Sequence, residues 1–149
     1  MSSNFGQIPR TFRIFLVEDN PDDEHLTLRA LKKQRPRIEV EVARDGEEAL
    51  AKLTAEDAPQ PDLVLLDLKL PKLSGLEVLE RLRKNPKTAH LLVVVLTSSD
   101  EPSDVRASYQ QYANSYIRKP VAYEEFGEVV RQLGLYWLET NIVPPDETK

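Results

Sequence analysis

The sequence contains no cysteine, which excludes disulfides, thiolate zinc sites and cysteine nucleophiles and fits a protein of the reducing cytoplasm. It also lacks an apolar run near the ~20 residues that a membrane helix needs, and residues 1–10 lack the apolar centre of a secretory signal. Basic residues are few, 20 Lys and Arg against 25 Asp and Glu, and the net charge is −5. A basic nucleic-acid-binding face is therefore disfavoured. We expect a cytoplasmic protein whose partners are neither nucleic acid nor membrane.

The composition is typical of one globular domain. The 149 residues are 40% hydrophobic and 30% charged, which is enough apolar material to bury a core and too much for a disordered chain. We expect a flexible lead over residues 1–11, one folded domain over residues 12–140 and a tail over residues 141–149.

Two short, mostly apolar runs end directly in acidic residues. Residues 13–17 lead into Glu18 and Asp19, and residues 63–66 lead into Asp67. Apolar runs of this length, bounded by loop residues, predict strands that are buried on both faces of a sheet.

Five predicted strands alternate with five predicted helices along the chain. Residues 38–43 alternate apolar and charged side chains, which predicts a half-exposed strand near a sheet edge, whereas residues 91–96 form the most apolar run and predict a central strand. The alternation requires right-handed crossovers and a parallel sheet covered on both faces. It therefore predicts an α/β fold, a flavodoxin-like doubly wound five-stranded parallel sheet in the order 2-1-3-4-5.

Polar side chains follow four of these strands. They are Glu18 and Asp19 after strand 1, Asp67 after strand 3, Thr97 after strand 4 and Lys119 after strand 5. Parallel strands bring these positions to one edge of the sheet, where ligands bind in such folds. Carboxylates that lie close together repel one another unless a cation binds between them. A site made of oxygen ligands with open coordination positions suits Mg²⁺. With a hydroxyl and an ammonium opposite, the set is suited to a phosphoryl group, and Asp67 is a candidate nucleophile.

Each of these residues also has an ordinary structural interpretation. Glu18 and Asp19 could be loop acids before a helix, Thr97 could precede a helix, and Lys119 could be a solvated surface lysine. Asp67 could simply begin a turn. The coincidence of all of them at matching strand ends favours one shared site.

At this point the chain resembles the receiver domain of two-component response regulators. The resemblance extends from about residue 13 to residue 138, and it rests on residues 16–20 (LVEDN), 65–71 (LLDLKLP), 96–98 (LTS), 116–120 (YIRKP) and Gly75.

The resemblance implies that Asp67 accepts a phosphoryl group from a phosphohistidine of a sensor histidine kinase. It implies that Asp19 and Asp67 bind Mg²⁺ directly, that Glu18 assists, and that the backbone carbonyl of Lys69 supplies a further ligand.

By the same resemblance, Thr97 hydrogen-bonds the phosphoryl oxygens and Lys119 pairs with their charge. Tyr116 is then the aromatic that moves inward when Thr97 shifts, and the Lys119–Pro120 peptide is expected to be cis. Phosphorylation would change the face made by helix 4, strand 5 and helix 5.

We expect no output domain after the receiver, so the chain resembles the stand-alone receivers that act through a protein partner or pass the phosphoryl group to a downstream phosphotransfer protein. Its long last helix resembles that of the small receivers that serve bacterial phytochrome kinases and form homodimers. Aromatic residues favour interface cores, and a candidate dimer face has five of them: Tyr109, Tyr112, Tyr116, Tyr136 and Trp137. Trp137 could equally cap the core.

Two other functions compete with this one. A haloacid-dehalogenase-like phosphatase also uses an aspartyl phosphate and Mg²⁺, but its motif has a second Asp at the position that Lys69 occupies here. The other alternative is an interaction module that dimerises without phosphorylation.

Overall fold

The computed structural model describes residues 11–144, so residues 1–10 of the predicted lead and 145–149 of the predicted tail lie outside the described residues. Five strands form one sheet in the order β2-β1-β3-β4-β5, and every neighbouring pair is parallel. The predicted flavodoxin-like fold is confirmed. The strands are Phe12–Val17 (β1), Ile38–Ala43 (β2), Leu63–Leu66 (β3), Val93–Thr97 (β4) and Ser115–Arg118 (β5).

Five α-helices connect and follow the strands. They are Pro21–Gln34 (α1), Gly46–Thr54 (α2), Gly75–Lys84 (α3), Pro102–Gln110 (α4) and Tyr123–Gly134 (α5). Within the described part of the chain, no helix is long and apolar enough to cross a membrane.

The core consists of two layers, one on each face of the sheet. Alternate strand residues such as Val17, Leu66 and Val95 pack under α2 and α3, and their neighbours in the strands pack under α1 and α5. β3 and β4 are buried at every position, as their unbroken apolar runs predict. β2 alternates in burial and lies at the edge.

Two helices that begin beside the carboxyl ends of the strands have strong caps. The Asn20 side chain accepts hydrogen bonds from the backbone N–H groups of Asp22 and Asp23, and Pro21 occupies the first helical turn of α1. Ser74 and Glu77 form a capping box at the start of α3. Such caps satisfy N–H groups that the helix itself cannot pair, so they fix where each helix begins relative to the sheet edge.

Gly75 lets the start of α3 approach the loop after β3. A Cβ atom at this position would lie 2.2 Å from the Asp67 carbonyl oxygen, and the Gly75 N–H donates to the Leu68 carbonyl at 2.8 Å. Only a residue without a side chain fits this contact. The backbone of Asp67 is thereby held against α3.

The predicted long last helix changes geometry after α5. Residues Leu135–Thr140 continue it as a π-helix, in which Asn141 N–H donates to the Tyr136 carbonyl five residues back. Arg35, just after α1, donates to the Leu138 carbonyl at 2.5 Å. The wide turn and this contact hold the end of the chain's last described helix against α1.

Candidate functional site

The structure places the predicted acidic residues together at the carboxyl-terminal edge of the sheet. Glu18 and Asp19 follow β1 and Asp67 follows β3, and one oxygen from each of the three carboxylates lies within 4.8 Å of the others. Glu18 and Asp67 are buried and Asp19 is exposed. β1 and β3 are neighbours in the sheet, which is why residues 48 positions apart in the sequence meet here.

Lys119 closes this cluster from the end of β5. Its Nζ atom lies 2.7 Å from Glu18 Oε1, 2.8 Å from Asp67 Oδ2 and 2.9 Å from Asp23 Oδ2. Burial disfavours the charged ammonium, but the carboxylates of Asp67 and Glu18 outweigh that effect and raise the pKa of Lys119 above its ordinary value. Lys119 is therefore a buried, permanent cation at neutral pH.

For Glu18, in contrast to Lys119, the effect of burial on the pKa outweighs the effect of the neighbouring opposite charge. Burial raises its pKa to about 7, against the hydrogen bond and charge of Lys119, which lower it, while the Asp67 carboxylate raises it further. A buried carboxyl group with so little solvation gains from a close cation.

Asp23 is a site residue that the sequence did not indicate. Its place on the first turn of α1 suggested only a favourable interaction with the helix dipole. In the structure that turn follows directly from the end of β1, and the Asp23 carboxylate reaches Lys119. The acidic side chain in the first turn of the helix that follows Glu18 and Asp19 was the available signal.

Thr97 ends β4, and its side chain is completely buried. Its Oγ1 atom has no hydrogen-bond partner among the described residues. A buried hydroxyl without a partner is costly, and such groups often serve a ligand. The predicted role of Thr97, binding a phosphoryl oxygen, would supply that partner.

Tyr116 lies on β5, half-buried against the layer under α3. Its hydroxyl donates to the Ser99 carbonyl at 2.8 Å, and the Ser99 hydroxyl donates to Asp104 Oδ2 at 2.6 Å. Burial raises the pKa of Tyr116, the Ser99 hydrogen bond lowers it, and nearby acids including Asp104 raise it. Ser99 and Asp104 connect Tyr116 to α4, and the sequence did not indicate either residue.

The prediction of a cis Lys119–Pro120 peptide is wrong. The described residues contain no cis peptide bond. The trans form is the more stable for X–Pro bonds by about 0.5–1 kcal/mol. Here the trans backbone already delivers Lys119 Nζ to three carboxylates, so no cis geometry is needed to place it.

The donors present fit a hard divalent cation. Carboxylate oxygens of three residues converge, two of them buried, and all-oxygen sites of this kind suit Mg²⁺ and similar ions. The Lys69 N–H donates to Asp67 Oδ1 at 3.1 Å, which holds the loop that carries the predicted carbonyl ligand of Lys69 beside the cluster.

Two of the predicted dimer-face aromatics, Tyr116 and Trp137, contact different core layers on either side of the edge strand β5. Tyr136 and Trp137 contact each other edge to face, with ring centroids 4.9 Å apart, and they line a groove of about 520 Å³ beside Ile117 and Val129. Tyr116 packs on the opposite face of the sheet. Trp137 packs against the core layer under α1 and α5.

Comparison with known proteins identifies the family. A family model for the response regulator receiver domain matches residues 14–131. The chain belongs to the response regulator receiver family. A curated relative, response regulator Rcp1 of Synechocystis sp., is 39% identical over 135 residues, which cover 88% of this chain and 92% of Rcp1.

Solved receivers share the fold closely. The phosphorylated cyanobacterial phytochrome response regulator RcpA superimposes with a TM-score of 0.87 at 38% identity, covering 91% of this chain and 100% of RcpA. The Mn²⁺-bound form of Rcp1 gives a TM-score of 0.86 at 38% identity, covering 90% and 99%. This receiver is thus related to response regulators of phytochromes, and its acidic cluster is of the kind that receivers use to bind a divalent metal.

Proposed function

We propose that this receiver is a stand-alone response regulator, in which Asp67 accepts a phosphoryl group from a sensor histidine kinase. The observation that carries the proposal is the setting of Asp67: its carboxylate lies 2.8 Å from the Lys119 ammonium, beside Glu18 and Asp19. An attacking carboxylate, a fixed cation and a group of metal-binding oxygens are the parts that phosphoryl transfer requires.

The transfer is a single displacement at phosphorus. One carboxylate oxygen of Asp67 forms an O–P bond while the N–P bond of the phosphohistidine breaks, and the leaving imidazole nitrogen keeps the electron pair. Lys119 neutralises charge beside the transferred group, and the Thr97 hydroxyl donates to one of its oxygens. A bound Mg²⁺, held by Glu18, Asp19, Asp67 and the Lys69 carbonyl, would neutralise further phosphoryl charge.

Thr97 and Tyr116 would carry the signal outward. When Thr97 turns toward a phosphoryl group, it moves the end of β4, which leads directly into the loop that Tyr116 holds through the Ser99 carbonyl. The affected surface is then α4, β5 and α5. The free energy for the change comes from the new charged contacts of the phosphoryl group.

The phosphodonor proposed is a kinase of the phytochrome type, supported by the similarity to RcpA and Rcp1 over nearly the full length of both chains. A cytoplasmic location and a homodimer belong to the same proposal, with Tyr136 and Trp137 at the dimer face. Onward transfer to a downstream phosphotransfer protein is a further possible fate of the phosphoryl group.

The first test is intact-mass measurement after incubation with acetyl phosphate and Mg²⁺. The wild type should gain one phosphoryl group, and Asp67→Asn should gain none. Loss of the adduct when Mg²⁺ is chelated would support the metal role. An unmodified wild type that also fails to bind Mg²⁺ would overturn the proposal and favour the phosphorylation-independent interaction module.

Three further measurements test the kinase pairing, the assembly state and the competing phosphatase function. Phosphotransfer from a phytochrome-type histidine kinase should outpace transfer from an unrelated histidine kinase, and equal rates would contradict the pairing. A sizing column run with and without phosphorylation tests assembly. Steady turnover of small phosphoesters would instead indicate a phosphatase.

A further inference from the structure

The β3–α3 loop, residues 67–74, carries both Asp67 and Lys69, whose carbonyl is a proposed metal ligand. The Gly75 N–H donates to the Leu68 carbonyl at 2.8 Å, which closes the base of the loop. The Lys69 N–H donates to Asp67 Oδ1 at 3.1 Å. In so short a closed loop, a shift of the outer residues is transmitted to Lys69.

The outer part of this loop has a strained backbone at Lys72. Its φ is 73°, in the left-handed region that a lysine rarely adopts, and the Leu73 N–H donates to the Pro71 carbonyl at 2.9 Å. A positive φ and a hydrogen bond over two residues are the features of a classic γ-turn, which is rare and strained. Such a turn persists only where its surroundings hold it in place.

The beginning of α2 supplies those surroundings. Gly46 is buried, and its N–H donates to the same Pro71 carbonyl at 3.3 Å. A Cβ atom on Gly46 would lie 2.2 Å from the Leu73 carbonyl oxygen and 2.6 Å from the Leu73 Cβ. These atoms belong to the backbone or are attached directly to it, so they cannot turn aside as the end of a flexible side chain can. Only glycine therefore lets α2 approach the turn this closely.

We infer that Gly46 is a positioning residue for the metal ion: its close contact with Leu73 fixes the β3–α3 loop, and with it the Lys69 carbonyl, for binding Mg²⁺. The inference rests on the proposed function and adds a residue that acts on the ion only through this loop. Groups that hold a metal ligand in place from outside the ligand set commonly determine the affinity of a site.

Asp45, the residue before Gly46, makes a weaker contact with the same loop. Its Oδ2 atom lies 3.6 Å from Lys72 Nζ, and the Lys72 side chain is 58% exposed. Water screens such a pair, so it contributes little. The Oδ1 atom accepts from the Glu48 N–H at 2.7 Å and caps α2. Asp45→Asn keeps an acceptor for this cap and removes only the charge, which makes it the matched control for Gly46→Ala.

The test is the affinity of the unphosphorylated protein for Mn²⁺ alone, a cation that suits the same oxygen ligands as Mg²⁺. Electron paramagnetic resonance measures the free aqua ion, and competition with Mg²⁺ then gives the affinity for Mg²⁺. Gly46→Ala should bind both ions about tenfold more weakly than wild type. Asp45→Asn should stay within about twofold of wild type.

A second control separates positioning from general destabilisation of α2. Leu53→Val shortens a buried side chain at the opposite end of α2 and so weakens the packing of the helix. Measured where circular dichroism shows the protein to be folded, its affinity for Mn²⁺ should match that of wild type. Equal weakening in Leu53→Val and Gly46→Ala would show that only the stability of α2 matters, which would overturn the inference.

Hydrogen exchange of the wild type tests the same coupling if Gly46→Ala does not fold. Coupling between two sites is reciprocal, so a bound metal ion should stabilise the contact that positions its ligand. The control amide is that of Ala49, which donates to the Asp45 carbonyl within α2 at 3.1 Å. Saturating Mg²⁺ should slow exchange of the Gly46 amide about fivefold more than exchange of the Ala49 amide.

The outcomes distinguish this inference from the function on which it rests. A wild type that binds neither ion and accepts no phosphoryl group overturns both. A wild type that binds, with Gly46→Ala as tight as wild type or with Asp45→Asn weakened equally, overturns the inference alone. Equal slowing of the Gly46 and Ala49 amides by Mg²⁺ leads to the same conclusion.

Discussion

Lys119 and Glu18 form an ion pair with 2.7 Å between Nζ and Oε1, and neither side chain is more than 5% exposed. Removal of the cation from such a pair leaves buried carboxylates without compensation. In metal-free buffer we expect Lys119→Met to lower the free energy of unfolding by about 3 kcal/mol, as measured by urea denaturation. Saturating Mg²⁺ should narrow the difference from wild type, because carboxylates that no longer pair with Lys119 should bind the ion more strongly and a ligand stabilises the folded state that binds it.

Lys69→Met serves as the control, since the Lys69 side chain is exposed. It should change stability by less than about 0.5 kcal/mol. Equal stability of Lys119→Met and wild type without metal would contradict the buried ion-pair description.

Thr97 and Thr88 are both completely buried, but only the Thr88 hydroxyl has a partner in the described structure: it donates to the Leu82 carbonyl at 2.8 Å. Thr97→Val should leave the stability of the unphosphorylated protein unchanged or raise it by up to about 1 kcal/mol, while Thr88→Val should lower it by about 1–2 kcal/mol. Thr97→Val should also lower the fraction modified by acetyl phosphate. If thermal unfolding shows that both substitutions destabilise the protein equally, the Thr97 hydroxyl must have a hydrogen-bond partner as the Thr88 hydroxyl does.

Tyr116 holds the loop between β4 and α4 through its bond to the Ser99 carbonyl. Phenylalanine at this position keeps the ring but loses the bond, which is worth about 1 kcal/mol. Hydrogen exchange of the amides from Ser99 to Glu101 should therefore be faster in Tyr116→Phe. Tyr109→Phe is the control, because Tyr109 is half-exposed on α4. Equal exchange rates of these amides in the two variants would show that the Tyr116 hydroxyl does not hold the loop.

Arg83 connects the end of α3 to the segment before β5. Its guanidinium donates to the carbonyls of Leu91 and Tyr112, at 2.7 Å each, and burial lowers its pKa. Loss of these charged hydrogen bonds in Arg83→Met should cost about 2 kcal/mol of stability. Arg81→Met, an exposed neighbour on the same helix, should cost less than about 0.5 kcal/mol. A similar shift of the urea midpoint in both would show that Arg83 makes no special contribution.

Gly75 and Gly127 both lie in helices but differ in surroundings. A Cβ at Gly75 would collide with the Asp67 backbone, whereas nothing lies within 4 Å of a Cβ at Gly127. Gly127→Ala should raise stability by about 0.5–1 kcal/mol through helix propensity. Gly75→Ala should lower stability and also reduce phosphorylation of Asp67, because the loop that holds this residue must shift. Melting temperatures and intact mass measure the two effects, and a stabilised, fully modified Gly75→Ala would contradict the packing argument.

The sheet could be predicted from sequence because its signals are local and strong. The apolar run of β3, the alternation in β2 and the cap at Asn20 each depend on a few adjacent residues. Topology rules then place the carboxyl ends of parallel strands on one edge. The meeting of Glu18, Asp19 and Asp67 follows from that geometry.

Side-chain partners could not be predicted in the same way. Lys119 and Asp23 are 96 residues apart, and whether they touch depends on where α1 begins over the sheet edge. Among the five aromatics predicted for a dimer face, Tyr116 and Trp137 contact core layers on opposite faces of the sheet. Successive side chains of a strand point to opposite faces of the sheet, so Tyr116 and Ile117 of β5 lie on different faces. Trp137 packs beside Ile117.

The sequence by itself determined the architecture of this receiver and the residue types at its reactive edge, because both follow from hydrophobic periodicity and strand order. The tertiary structure decided the pairing within that edge: the third contact of Lys119, the partnerless hydroxyl of Thr97, the tether of Tyr116 and the trans peptide before Pro120. Hydrogen bonds require atoms to meet within a few tenths of an ångström. That precision arises only when helices and loops distant in sequence have packed together.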